Sequence, residues 1–408
     1  MSRTVAILAT LDTKGAEAAY LRDQVESMGG KAFVIDLGVA GDATIPCDVT
    51  ADEIARAGGS SIAELRTHGD REHAAPVMAK GATAILLDKI EAGEVHAAVG
   101  LGGTQGTSLC GAIMQGLPYG FGKVILSTVA SGDTSRFVGI KDVTMMFAVG
   151  DILGLNPLLR KMLANAAGAA YGMALHDVSA EPGEHSKGTV AMTNLGVLTK
   201  GAMRAIDRFH EAGYEVVTFH AVGAGGAAME QMMREGLISG VFDYAMGEIA
   251  DFCFDALRAG DETRLTVAGP LGIPQVICPG GAEHIGLLCE PNKAPDAWKD
   301  HRLVFHSPVI VAPRLNAVEI VQVGNEITKR LAHTTGHAAF VIPLKGVSRY
   351  SVEGGPLVDR ASDEAFFAAL RDGMPSGVEL VEMDHGAEDD AFVDACVDRL
   401  IAMMERAR

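Results

Sequence analysis

Residues 9–42 read ATLDTKGAEAAYLRDQVESMGGKAFVIDLGVAGD, and residues 192–226 read MTNLGVLTKGAMRAIDRFHEAGYEVVTFHAVGAGG. Each stretch leaves an apolar run and passes through Thr-Lys-Gly (Thr13-Lys14-Gly15 and Thr199-Lys200-Gly201). Each then enters a segment of helical spacing, stops at Gly, and runs through a second apolar segment into a Gly-rich turn. In the first stretch Ala18, Leu21, Val25 and Met28 share one helical face, so the spacing predicts a helix over 15–28 between strands at 4–9 and 32–37. Gly29 and Gly30 end it. The second stretch predicts strands at 189–194 and 215–221 around a helix over 200–212. Both are βαβ openings, which require parallel sheets. Gene duplication and the common grammar of α/β folds both account for the likeness.

Working outward, further strands are expected at 97–101 and 124–129, and later at 275–278, 303–305 and 338–343. A chain of 408 residues exceeds one ordinary core. The polar stretch SAEPGEHSKG at 179–188 reads as the boundary, giving a first lobe over 1–180, a linker at 181–188 and a second lobe over 189–408. The fold expected is α/β: two Rossmann-like lobes with mainly parallel sheets, and a ligand cleft between them where strand ends and helix N-termini meet.

The formal net charge of −18 argues against nucleic acid, which needs Lys and Arg to displace counterions. A small anion remains compatible, because backbone N–H groups and one or two local cations can hold it. The six cysteines form no C-x-x-C pair and read as reduced core thiols of a cytoplasmic protein without a zinc site. The N-terminus reads as a first strand rather than an export signal. No run approaches the ~18 apolar residues of a membrane span.

The strongest chemical signal is Val99-Gly100-Leu101-Gly102-Gly103-Thr104-Gln105-Gly106-Thr107-Ser108-Leu109, a turn from strand to helix. Glycines let backbone close on a phosphate, and the following helix offers N–H groups and a positive dipole end. The hydroxyls of Thr104, Thr107 and Ser108 can donate. It matches neither a P-loop nor the Gly-x-Gly-x-x-Gly dinucleotide spacing. Lys14 can meet phosphate oxygens, Asp12 can hold Mg²⁺ or a ribose hydroxyl, and Thr13 can contact ligand or cap a helix. The hydroxyl-rich turn around Ser131 is a further cleft loop. In the second lobe, Gly223, Gly225 and Gly226 form the corresponding loop, beside a Met cluster (Met229, Met232, Met233) that reads as core. Glu283 and His284 follow a strand and pair a carboxylate with an imidazole, which suits acid–base work or a metal position.

In order along the chain, ATLDTKG, GLGGTQGTSL, the segment from STVASGD to AAYGM, TNLGVLTKG and PLKGVSRYSVEGGPLVD resemble the ATP-binding domain family of the tomato mosaic virus resistance protein, whose bacterial and fungal relatives are mostly uncharacterised. The resemblance covers nearly the whole chain. It implies two Rossmann-like lobes, ATP bound with Mg²⁺, and self-association as a homodimer or larger homo-oligomer. It places nucleotide contacts on Asp12, Thr13 and Lys14, on Gly102, Gly103, Thr104, Gly106 and Thr107, and on Gly223, Gly225 and Gly226. The second lobe departs from the family pattern at residues 281–286, 306–316 and 385–390. That departure raises an alternative: an enzyme acting on a small carboxylated or phosphorylated metabolite, with Glu283 and His284 as acid and base and Arg314 gripping a carboxylate. A third reading is a protein-interaction module stabilised by its ligand.

Overall fold

Alternation along the first strand shows how the amino-terminal core is divided. In β1 (Thr4–Ala9), Val5, Ile7 and Ala9 join one apolar cluster, while Ala6 and Leu8 join another on the opposite face of the sheet. A strand buried on both sides belongs inside a parallel sheet covered by two helical layers. The computed structural model describes residues 2–68, 71–176, 183 and 185–407, so the expected linker lies partly outside them, at 181, 182 and 184. The chain divides into two compact units, Met1–Ala180 and Glu181–Arg408.

In the first unit α1 (Leu11–Ser27) follows β1, and β2 (Lys31–Asp36) follows α1. Three helices come next: α2 (Ala51–Gly58), α3 (Ile62–His68) and α4 (Arg71–Glu91). Then come β3 (Ala97–Gly102), α5 (Thr104–Gln115), β4 (Gly122–Ser127), α6 (Ser135–Val138), β5 (Thr144–Phe147) and α7 (Pro157–Leu175). The five strands are all parallel, in the order β2-β1-β3-β4-β5. Helices α1 and α7 cover one face through Ala18, Leu21, Leu163 and Ala167. Helices α2, α4 and α5 cover the other through Ile54, Met78, Leu86 and Ile113.

In this unit two elements, α1 and β4, depart by more than one residue from the bounds the sequence predicts. Helix α1 begins at Leu11, because the N–H groups of Thr13 and Lys14 both bond to the Thr10 carbonyl as the strand ends. Asp12, Thr13 and Lys14 therefore sit in the first turn of the helix, with a kink at Lys14 (φ −123°, ψ 21°). Strand β4 ends at Ser127, leaving Thr128 and Val129 in the turn. Helices α2 and α4 have no counterpart in the reading above. The first is set by a Thr50/Glu53 capping box, and the second carries Pro76 and Gly81, which read locally as breakers.

The second unit repeats the scheme. After β6 (Thr189–Asn194) come α8 (Thr199–Glu211), β7 (Glu215–His220), α9 (Ala224–Arg234), β8 (Gly240–Ala245), α10 (Gly247–Cys253), α11 (Ala268–Leu271) and β9 (Gln275–Gly280). A small antiparallel sheet of β10 (Leu287–Leu288), β11 (Leu303–Ser307) and β12 (Ile310–Pro313) intervenes, so the strand expected at 303–305 exists outside the main sheet. Then follow α12 (Ala317–Leu331), β13 (Ala338–Pro343), α13 (Arg360–Gly373), β14 (Glu379–Met383) and α14 (Asp390–Ala407). The parallel order is β14-β13-β9-β8-β6-β7. Counted by appearance within each unit, the two sheets run 2-1-3-4-5 and 2-1-3-4-5-6, so each unit has one switch point, between β1 and β3 or between β6 and β8. The two units share a topology, the second with one more strand. Among the described residues no helix is long and apolar enough to cross a membrane. The six cysteines are free thiols, of which Cys110, Cys278 and Cys396 are buried, while Cys47, Cys253 and Cys289 are only partly covered.

Candidate functional site

In open parallel sheets, ligands sit outside the carboxyl ends of the strands at the switch point. In the first unit that place is formed by the loops after β1 and β3, and these hold two of the segments singled out from the sequence. Gly102 ends β3 so close to α5 that a side-chain carbon on it would stand 2.6 Å from Gly106 Cα. Gly103 is the N-cap of α5 and contributes no side-chain hydrogen bond to the first turn. A carbon added there would meet nothing nearer than Thr128 Oγ1 at 3.8 Å. The turn is therefore closed behind Gly102 and open in front of Gly103, and the first turn of a 12-residue helix follows it.

The hydroxyls divide by role. Thr107 is buried, its Oγ1 donating to the Gly102 carbonyl (3.2 Å) and meeting Ser127 Oγ at 2.8 Å, so it fastens the turn to β4. Thr104 is exposed, as is Ser131 in the turn after β4. Asp12 Oδ2 accepts from the Gly41 N–H (2.9 Å), while its Oδ1 is buried without a hydrogen-bond partner. Thr13 Oγ1 lies 2.9 Å from Thr10 Oγ1. Lys14 Nζ donates to the Ile152 carbonyl. Glu17, also buried, accepts from Gly154 N–H (2.8 Å), so the 148–156 loop is tied to α1. Asp36 at the end of β2 accepts from the N–H groups of Leu11 (3.0 Å) and Gly38 (2.8 Å). Burial raises its pKa, although those two bonds oppose the rise. Neither Asp36 nor Glu17 stands out in the sequence, since each lies in an ordinary strand or helix pattern.

The second unit treats its corresponding loop differently. Glu248 Oε1 accepts from the N–H groups of Gly223 (2.6 Å) and Gly226 (3.1 Å). Two amides of the loop are thus engaged by the protein's own carboxylate. Packing explains the glycines: a carbon on Gly225 would fall 1.8 Å from the His220 carbonyl oxygen, and one on Gly226 would fall 2.2 Å from Glu248 Oε2. Glu248 in turn meets Arg264 Nε at 2.6 Å, and Arg264 grips both oxygens of Asp243 at 2.6 and 2.7 Å. Glu230 stands 3.9 Å away. All four side chains are buried. Met229 and Met233 are core, as expected from the sequence.

Burial drives the Glu230 carboxyl up to about 7, against the pull of Arg264 and the Leu265 N–H. The folded protein thus holds this proton above the usual carboxylate range near 4.5, and its stability falls as pH rises from about 4.5 to about 7. Glu230→Gln should flatten that decline, removing a dependence of roughly 3 kcal/mol across the window. Urea unfolding at pH 5 and pH 8 checks this; an unchanged slope in the variant refutes the assignment.

Glu283 and His284 follow β9 and are both buried. Their side chains meet, His284 Nδ1 lying 3.2 Å from Glu283 Oε1 but out of hydrogen-bond alignment. Ser348 Oγ donates to Glu283. Burial alone would raise Glu283, but His284, Arg314 and Ser348 together bring it down to about 2. Arg314 is also buried, donating to the Glu283 carbonyl (2.9 Å) and to Asp363 Oδ1 (2.7 Å). Its guanidinium holds the loop and α13 together, so its place is structural in this arrangement. Asp363, Ser348, Asp251 and Arg258 complete the cluster and carry no motif of their own.

Surface relief does not select between these places. A hollow of about 480 Å³ lies at the amino end of β7, and one of about 550 Å³ lies between α12 and α13; neither contains a candidate residue. Among the described residues no three His, Cys, Asp or Glu side chains are grouped to hold a metal.

The chain belongs to the uncharacterised protein family UPF0261, whose N-terminal domain matches residues 3–179 and whose C-terminal domain matches residues 187–404. It is 37% identical to a UPF0261 protein of Clostridium tetani over the full length of both chains. It is 34% identical to one of Mesorhizobium japonicum over 90% of each. A third relative is the ToMV resistance protein Tm-1(GCR237) of Solanum lycopersicum, 27% identical over all of this chain and 56% of the tomato protein.

Proposed function

We propose that this protein binds a phosphorylated small molecule, with ATP as the first candidate, at the carboxyl ends of β1 and β3. The observation that carries the reading is the turn at Gly102 and Gly103, shut by packing behind Gly102 and open in front of Gly103, where the nearest atom to an added carbon is Thr128 Oγ1 at 3.8 Å, ahead of the α5 amino end. Phosphate oxygens there would take first-turn N–H groups and the Thr104 hydroxyl, with the helix dipole adding attraction of about 0.3–1 kcal/mol. The likeness to the tomato protein's family supports ATP over other phosphorylated ligands.

Mg²⁺ bound with nucleotide needs one or two protein carboxylates, the remaining positions being phosphate and water. Asp12 fits that sparse demand, since its Oδ1 is buried and unpartnered. The metal would supply charge neutralisation between phosphate groups. Asp12 would orient it, and Lys14 would exchange the Ile152 carbonyl for a phosphate oxygen. Self-association, which the same resemblance implies, belongs with this proposal.

Calorimetric titration of the full chain with ATP, ADP and AMP, each with and without Mg²⁺, tests it. The expected result is affinity on the order of micromolar for ATP, weakening as phosphates are removed. Absence of binding by all three nucleotides overturns the reading.

A further inference from the structure

We infer that the loop between β5 and α7, residues 148–156, is a shelf for an aromatic base: Val149 and Leu153 cover the base of a nucleotide whose phosphates lie at the Gly103 turn. The inference rests on the phosphate site proposed above. It narrows the ligand of that site to a molecule with a planar base, as against a bare polyphosphate.

Hydrogen bonds place the loop across the site. At its start the Ala148 N–H donates to the Ser127 carbonyl (2.9 Å) at the end of β4. The next residue of that turn, Thr128, is the nearest neighbour of a carbon added to Gly103, with Oγ1 at 3.8 Å. Further along, the Ile152 carbonyl accepts from Lys14 Nζ, and the Gly154 N–H donates to Glu17 (2.8 Å), both on α1. The loop therefore leaves the edge strand β5, passes the ends of β4 and β3, and reaches the helix that follows β1. It is bracketed by the two elements that would hold phosphate. Neighbouring strands lie about 4.8 Å apart, so β5 stands roughly 10 Å from β3, a span that a ribose and its first phosphates bridge.

The side chains of the loop divide as a shelf requires. Ala148 and Ile152 are sealed in the core beneath α1 and α7, and Leu155 packs against that core, so the backbone is anchored. Between these anchors the loop turns apolar surface to water. Val149 is 61% exposed and Leu153 70%, and Phe147 and Leu158, which flank the loop in the chain, are also exposed. No other twelve-residue stretch among the described residues exposes as many large apolar side chains. Carbons added to Gly150 or Gly154 would meet nothing within 4 Å, so open space lies beside the loop. Val149 has φ +64°, a conformation that β-branched residues seldom adopt and that recurs at ligand clamps. Closing the face of a base onto Val149 and Leu153 removes apolar surface of both from water. A loop already anchored loses little freedom in doing so.

Calorimetric titration of the full chain with ATP and with inorganic tripolyphosphate, each with Mg²⁺, tests the shelf. ATP is expected to bind about tenfold more tightly or better, although tripolyphosphate offers the same chain of phosphates. The variant carrying Val149→Gly and Leu153→Ser changes two exposed side chains, and Gly takes φ +64° without strain, so it should unfold in urea at the wild-type midpoint. In it, ATP affinity should fall about tenfold or more while tripolyphosphate affinity stays as it was. Equal affinities for the two ligands in the wild type overturn the shelf and leave the phosphate site standing. So does a folded double variant that keeps its ATP affinity, or one that loses both ligands in parallel. Binding of neither ligand by the wild type removes the phosphate site, and the shelf with it.

Discussion

Arg264→Met should destabilise the carboxyl-terminal unit by about 3–5 kcal/mol, the typical cost of removing one partner from a buried ionic network. Arg264 is fully enclosed and holds Asp243 through two parallel bonds and Glu248 through a third. Without it those carboxylates stay buried with no counter-charge. Part of the load is already met by other donors. Thr193 Oγ1 donates to Asp243 (2.7 Å), and the Gly223 and Gly226 amides donate to Glu248. Those bonds do not neutralise charge. For a unit of this size the loss corresponds to a midpoint lowered by roughly 10 °C. Adding Asp243→Asn and Glu248→Gln to the variant should recover part of the stability, because the charges that made the loss costly are gone. A shift under about 1 kcal/mol in urea unfolding would show that water reaches these groups.

Gly103→Asp separates ligand binding from folding. The position has ordinary backbone angles (φ −73°) and open space ahead of it. Asp is a better N-cap than Gly by a few tenths of a kcal/mol, so the variant should be as stable as the wild type or slightly more so. The new carboxylate would occupy the first-turn N–H groups and repel phosphate. ATP affinity should fall by about 100-fold or more, equivalent to roughly 2.7 kcal/mol. Gly102→Ala is the contrast: its methyl would press on Gly106 Cα, and stability should suffer first. Undiminished ATP binding by a folded Gly103→Asp protein would remove the β3–α5 turn from the site.

What could be read along the chain was local. The strand at 4–9, the two Thr-Lys-Gly helices, the turn at Gly102 and Gly103 and the parallel α/β class all follow from periodicity and punctuation within a dozen residues. Residues whose meaning depends on distant partners could not be read that way. Strand β8 is buried throughout, yet Asp243 interrupts its apolar run, and only Arg264 beyond the next helix makes that charge tolerable. Gly223 and Gly226 look like a ligand loop until Glu248 is found on their amides. Glu283 and His284 were visible as a pair, but Arg258, Asp251, Ser348 and Asp363 come to them from separate loops and helices. The order of strands, and with it the two switch points, is likewise invisible in any one segment. Periodicity reports which face of an element is covered. Which buried charge meets which counter-charge is settled when the elements close on one another and water leaves, because only then does an unpaired group become costly.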